Sequence, residues 1–168
     1  MPFEYSTNLE SILNALKDYN TTTASPYLSD SLTTKILNTN IIGEDSEMLE
    51  IRADNLPAIF VRISNKEEDF ASMGATGSSG VRKKAIVFYD VIAMYSKDSG
   101  YDQHATVLDE IYKLARNVEG VFQKERTLSS TALFSQVTET NFLSPIELNN
   151  GIMVKSALLK LRAEYLFR

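Results

Sequence analysis

Between residues 81 and 95 apolar side chains fall on both parities of the chain. One parity carries Ile86, Phe88, Ile92 and Met94; the other carries Val81, Ala85, Val87, Tyr89, Val91 and Ala93. Successive side chains of a strand point to opposite faces, so this segment predicts a central strand covered on both sides by helices, a partner sheet or another subunit. Asp90 interrupts one of those faces. In AIFVRIS (58–64), Ile59, Val61 and Ile63 alternate with Phe60 and Arg62, a second strand signal, with Pro57 at its start where a missing N–H does least harm. Residues 47–54 predict a further extended piece, broken at Asn55–Pro57, and residues 127–143 a strand rich in Thr and Ser.

The last segment has good helix propensity across Ala157–Leu166, yet its alternation is strict. Ala157, Leu159, Leu161, Ala163, Tyr165 and Phe167 share one parity, while Lys160, Arg162, Glu164 and Arg168 share the other with Leu158 and Leu166. A helix would spread those charges round a cylinder; a strand gathers them on one side, and a strand is preferred.

Two segments carry the helical period. In residues 6–20, Leu9, Ile12, Leu13 and Leu16 form one apolar stripe, and Thr7 with Glu10 has the spacing of a capping box. In residues 99–120, Ala105, Leu108, Ile111, Tyr112, Ala115 and Val118 form the expected buried face, with Asp102 as cap and Gly120 as stop. The polar connector 21–35 resists assignment, and SPIELNNG (144–151) supplies turn residues. The element order implies an α+β domain spanning 1–168. Its mostly antiparallel sheet has four to five strands, with two main helices packed on one face. A flexible loop is expected at about 65–81.

Composition narrows the functional classes. With 168 residues the chain is long enough for one domain with its own core. A net charge of −5 argues against a nucleic-acid binder, which needs clustered Lys and Arg. Cysteine is absent from the sequence, which removes disulfides, thiolate catalysis and Cys-based zinc sites. The first ten residues lack the pattern of a signal peptide, and no apolar stretch approaches ~18 residues, so a cytosolic product without a membrane span is expected.

MGATGSSGVRKK (73–84) invites comparison with a phosphate-binding loop. Gly74, Gly77 and Gly80 recur every third residue, and Lys83–Lys84 follow, but no Ser or Thr stands ready for magnesium. A strand follows in place of a helix, so no helix N-terminus would face a phosphate. The stretch reads better as a long excursion between strands that orders on assembly. His104, the only histidine, falls in the first turn of the second predicted helix without a partnered nucleophile. Glu67, Glu68 and Asp69 are consecutive, so their side chains diverge, and they read as a solvated charge run. Asp90, on an otherwise apolar strand, requires a partner such as Arg52, Arg62 or Arg162, or a subunit contact. No catalytic set emerges, and neither a cofactor nor a metal is expected.

The layout resembles the tail-terminator and head–tail joining proteins of long-tailed bacteriophages. The likeness is carried by the opening helix LESILNALKDY, the strand LPAIFVRI, the excursion SMGATGSSG leading into KKAIVFYDVIAMYS, the helix containing LDEIYKLARNV, and the terminal GIMVKSALLKLRAEYLF. It covers about three-quarters of the chain, from about residue 5 and omitting much of 21–46, and is a likeness of element order and spacing. It implies a non-enzymatic virion protein, assembled in the host cytoplasm, that closes into a homo-oligomeric ring, usually a hexamer. Such a ring ends polymerisation of the tail tube protein and meets the head connector or stopper, while DNA passes through the lumen without specific binding. Met73, Gly74, Gly77, Gly80, Arg82, Lys84, Asp90 and Arg162 are the residues expected to contact neighbouring subunits or the tube. Another connector, adaptor or cap of a contractile injection system shares this layout. The competing class is an enzyme or small-ligand module built on Asp90, His104 and the 73–84 loop.

Overall fold

The computed structural model describes residues 3–21, 36–38, 56–70, 83–97, 103–147 and 152–167. Helix α1 spans Tyr5–Thr21 and is followed by the short strand β1, Ile36–Asn38, then β2, Ala58–Phe70, and β3, Lys83–Lys97. Helix α2 spans Gln103–Lys124; β4 is Phe134–Phe142, β5 is Ile146–Glu147 and β6 is Met153–Phe167. Five strands lie in the order β1-β2-β3-β6-β4, with β5 pairing β6 beside β4. All pairings are antiparallel except β1 on β2, so the fold is α+β, as the patterning implies.

The spine of the sheet is β3 against β6, paired without a register shift from Lys83↔Phe167 to Lys97↔Met153. The alternation read from Ala157 onward is thus a strand, and β3 is central. Its parities have different surroundings. Ala85, Val87, Tyr89, Val91 and Ala93 are fully buried with Ala157, Leu159, Leu161 and Ala163 of β6, in one cluster with Ile12 and Leu16 of α1 and Ile111, Ala115 and Val118 of α2. Both helices therefore cover the same face, and each fully buried Val, Leu or Ile contributes roughly 1.5–3 kcal/mol of transfer free energy. On the opposite face Ile86, Phe88, Ile92 and Met94 are only half-buried. The expected two-sided cover is supplied by this chain's described residues on one side.

Several boundaries move, each for a physical reason. Helix α1 begins at Tyr5, and the Asn8 amide already donates to the Glu4 carbonyl, so Thr7 and Glu10 sit inside the helix and form no capping box. Helix α2 runs through Gly120 to Lys124, because Val121 and Phe122 continue the buried stripe that Val107, Ile111, Leu114, Ala115 and Val118 begin. Tyr112 lies one residue off that stripe and is exposed, correcting its assignment to the buried face. Residues 65–70 extend β2, and so do not belong to a loop: Asn65, Lys66, Glu67, Glu68, Asp69 and Phe70 pair with Phe88 down to Lys83. The strand expected over 127–143 begins only at Phe134, after a turn in which Leu128, Ser129 and Ser130 have φ of 48°, 55° and 69°. The turn is held by amide donation from Ser129 to Glu125 Oε1 and from Ala132 to the Thr127 carbonyl, with Leu128 buried beneath it. The turn segment 144–151 contributes the two residues of β5. The extended piece at 47–54, the cap at Asp102 and most of the connector 21–35 lie outside the described residues.

At the end of the sheet where β6 finishes, Phe3 packs edge-on against Tyr165 and Phe167 at centroid distances of 5.5 and 5.6 Å. The Lys66 ammonium lies 5.0 Å from the Phe3 ring and 5.1 Å from the Tyr5 ring, and it is paired with Glu68. This cation–π cluster ties the residues before α1 to β2.

Candidate functional site

The face of the sheet turned away from the helices is organised in rows. One row is charged and alternates in sign across four strands. Arg62 of β2 stands opposite Asp90 of β3, Asp90 opposite Lys160 of β6, and Lys160 opposite Glu139 of β4. Arg62 donates to Asp90 Oδ2 from Nε at 2.9 Å and from Nη2 at 2.8 Å, and Lys160 Nζ lies 3.0 Å from Glu139 Oε2. The Asp90 carboxylate is buried and lies close enough to Lys160 to favour its ammonium form. Glu139, bonded by Asn141 and Lys160, is held below the usual carboxylate range, and Lys160 is raised by Glu139.

A second network lies toward the end of β6. Glu164 is bridged by Lys84 at 2.6 Å and by Arg162 at 2.5 Å, and these cations lower its pKa against the opposing effect of partial burial. At the other end of the face Phe60, Ile92 and Leu158 form an apolar row, flanked by Leu56, Ala58, Met94 and Val154. Of the interface residues named from the sequence, the structure gathers Lys84, Asp90 and Arg162 on this one face. Met73, Gly74, Gly77, Gly80 and Arg82 lie outside the described residues. Asp90 has as its partner Arg62, one of the three arginines the sequence offered. His104 stands in the first turn of α2, and its side chain lies outside the described residues.

Two features were not evident from the sequence. The first is an apolar corner. Tyr112, Phe142, Leu143 and Ile146 are 48%, 44%, 42% and 56% exposed. The Tyr112 and Phe142 rings meet at 4.7 Å and 89°, and Leu143 and Ile146 follow along β6 through Ser156 and Val154. A cleft of about 80 Å³ lined by Val107, Leu108, Pro145 and Met153 adjoins them. The signal for Tyr112 was present: the stripe Val107, Ile111, Leu114, Val118 leaves it about 100° away.

The second is a groove of about 390 Å³ between the end of α2 and β4, lined by Glu119, Gln123 and Arg126 on the helix and by Ser135 through Thr140 on the strand. Its charges are engaged internally. Glu119 accepts a hydrogen bond from Thr140 at 2.5 Å, and Arg126 donates to the Gln123 carbonyl while lying over the Phe134 ring. Among the described residues no three His, Cys, Asp or Glu converge to hold a metal ion, and no helix is long and apolar enough to cross a membrane. No protein-family model matches this chain, and no curated protein matches it in sequence.

Proposed function

We propose that this chain is a structural subunit of a phage tail, a ring-forming protein at the head-proximal end of the tail tube that ends tube growth and meets the head connector. The observation that carries the reading is the apolar corner. Four large side chains stand exposed together where the sheet edge meets α2, and exposed apolar clusters of this kind mark protein contacts. Polar chemistry on the open face supports the same reading. Three of its carboxylates are spent on neighbouring cations, Asp90 on Arg62, Glu139 on Lys160 and Glu164 on Lys84 and Arg162, an arrangement that stiffens a surface. The virion assignment rests on the element order, which is similar to that of tail terminators, and the balance of −5 suits a lumen through which DNA passes without adhering.

Purified protein is examined by light scattering alone and after mixing with tail tube protein of the same virus, and the mixtures by negative-stain electron microscopy. The expected result is a ring, free or seated on one end of tubes whose growth it stops. A chain that stays monomeric and leaves tube length unchanged would remove the reading. Another neck component, an adaptor or stopper, would give rings that bind the connector and ignore the tube.

A further inference from the structure

We propose that the outer edge of β4, beneath the last turns of α2, is the seam at which a second copy of this chain adds a strand: the part of its β2 around Asn65–Glu68, running antiparallel to Phe134–Val137 with Gln136 opposite Asn65 or Glu67. The proposal rests on the homo-oligomer reading above and names the contact that builds it.

The edge is suited to strand addition. β4 pairs with β6 along one side, and among the described residues no strand lies on its other side. The Glu164 and Ser156 carbonyls face β4, accepting from Leu133 and Leu143, so the even residues of β6 turn their backbone groups toward their partners Phe134 and Gln136, and Ser135 and Val137 turn theirs away from β6. The groove follows this same edge and has room above it for side chains of an incoming strand. Addition of an extended segment to such an edge uses main-chain hydrogen bonds for affinity and the groove for specificity.

The topology selects the opposite edge of the sheet as the donor. β2 is antiparallel to β3, β3 to β6, and β6 to β4, so β2 and β4 run in opposite directions. Identical subunits rotated about an axis along the strands keep those directions, and β4 of one then meets β2 of the next antiparallel. Two different edges join at each seam, which is the head-to-tail contact that closes a ring. At the donor edge, among the described residues, β1 pairs with Ile59–Val61 of β2 and no strand pairs with the stretch after Asn65.

Bulges and charge set the register. β4 is shifted between Val137 and Glu139, and β2 between Ile63 and Asn65, so the regular stretches available are Phe134–Val137 and the part of β2 after Asn65. A symmetric pairing of β4 with β4 would centre on its own bulge, where the ladder is broken. In the antiparallel seam the acidic run Glu67, Glu68 and Asp69 faces the beginning of β4, where Arg126 lies over Phe134, and Arg62 falls toward Glu139. Gln136 and Glu67 share the open face, as does Asn65, which places Gln136 opposite one of those two.

The chain contains no cysteine, so introduced pairs report alone. Full-length double variants Gln136→Cys with Asn65→Cys, and Gln136→Cys with Glu67→Cys, are oxidised and run without reductant. The expected result is a ladder of covalent multimers from at least one pair and none from any single variant. Val137→Pro, which removes an outward amide and no bond to β6, is expected to raise the concentration for half-assembly at least tenfold relative to Val137→Ala, which trims the same part-buried side chain and keeps the amide. Dimers from Gln136→Cys alone would show β4 meeting β4 and overturn the proposal. Rings that form by light scattering without a crosslink from either pair, or that assemble equally well in Val137→Pro and Val137→Ala, would overturn it while leaving the ring intact. A monomer with and without tube removes both.

Discussion

Arg62 reaches across from β2 to clasp Asp90 on β3 with two nitrogens on one carboxylate oxygen, at 2.8 and 2.9 Å. The two partners differ in surroundings: the Arg62 side chain is 54% exposed and that of Asp90 is 8% exposed. Removing the arginine strands a buried carboxylate, whereas removing the carboxylate leaves a guanidinium that water can solvate. Arg62→Ala is therefore expected to lose about 1–2 kcal/mol, moderated by Lys160 on the other side of Asp90. Asp90→Leu, apolar on a half-apolar strand, is expected to lie within about 1 kcal/mol of the parent. Urea unfolding of both variants checks the order.

The hydroxyls of Tyr89 and Tyr165 meet at 3.0 Å within the core. Burial raises both, Tyr165 to about 12, so neither ionises before the protein meets strong alkali. Tyr89→Phe is expected to cost about 1 kcal/mol, because Tyr165 retains the Ser11 hydroxyl as a partner. The double change Tyr89→Phe with Tyr165→Phe should cost less than twice that, since no hydroxyl is left stranded. A double-mutant cycle by thermal melting measures the coupling.

Glu164 supplies the acid-sensitive contact on the open face. Its pKa is lowered from 4.5 in the folded chain by Lys84 and Arg162. A lowered carboxylate contributes stability above its unfolded value, and that contribution fades as pH falls through the folded value. The gap in stability between the parent and Glu164→Gln is expected to be about 1 kcal/mol at neutral pH, discounted for the part-exposed cations, and to close as pH falls below 4.5. Denaturation midpoints across pH 3–7 test it, and a gap that stays constant would place the effect in packing.

The turn at Leu128–Ser130 holds three residues other than glycine at positive φ. Each costs on the order of 1 kcal/mol relative to glycine in that region. Ser129→Gly and Ser130→Gly are each expected to stabilise by about 0.5 kcal/mol, the relief exceeding the added freedom of the unfolded chain. Leu128→Ala is expected to lose about 2–4 kcal/mol, because its fully buried side chain is what the turn delivers to the core. Melting temperatures of the three variants give the answer.

What the amino-acid order determined by itself was periodicity. The two apolar parities of β3, the alternation of Ala157 to Phe167 and the stripe through Ile12 and Leu16 are local properties, and they fixed the α+β class, the central strand and the final strand. Pairing of Asp90 with an arginine was legible for the same reason, since a carboxylate on an apolar strand demands a cation. Which arginine was decided by register, through the alignment of β2 on β3 that places Arg62 opposite it. Tertiary packing also overrode local punctuation. Gly120 ends no helix, because Val121 and Phe122 gain burial by continuing it, and the charges of 66–69 sit in a strand because β3 supplies the ladder. The apolar corner at Tyr112 and Phe142 and the groove beside β4 join residues far apart in the chain, and such neighbours exist only once the sheet order has been chosen.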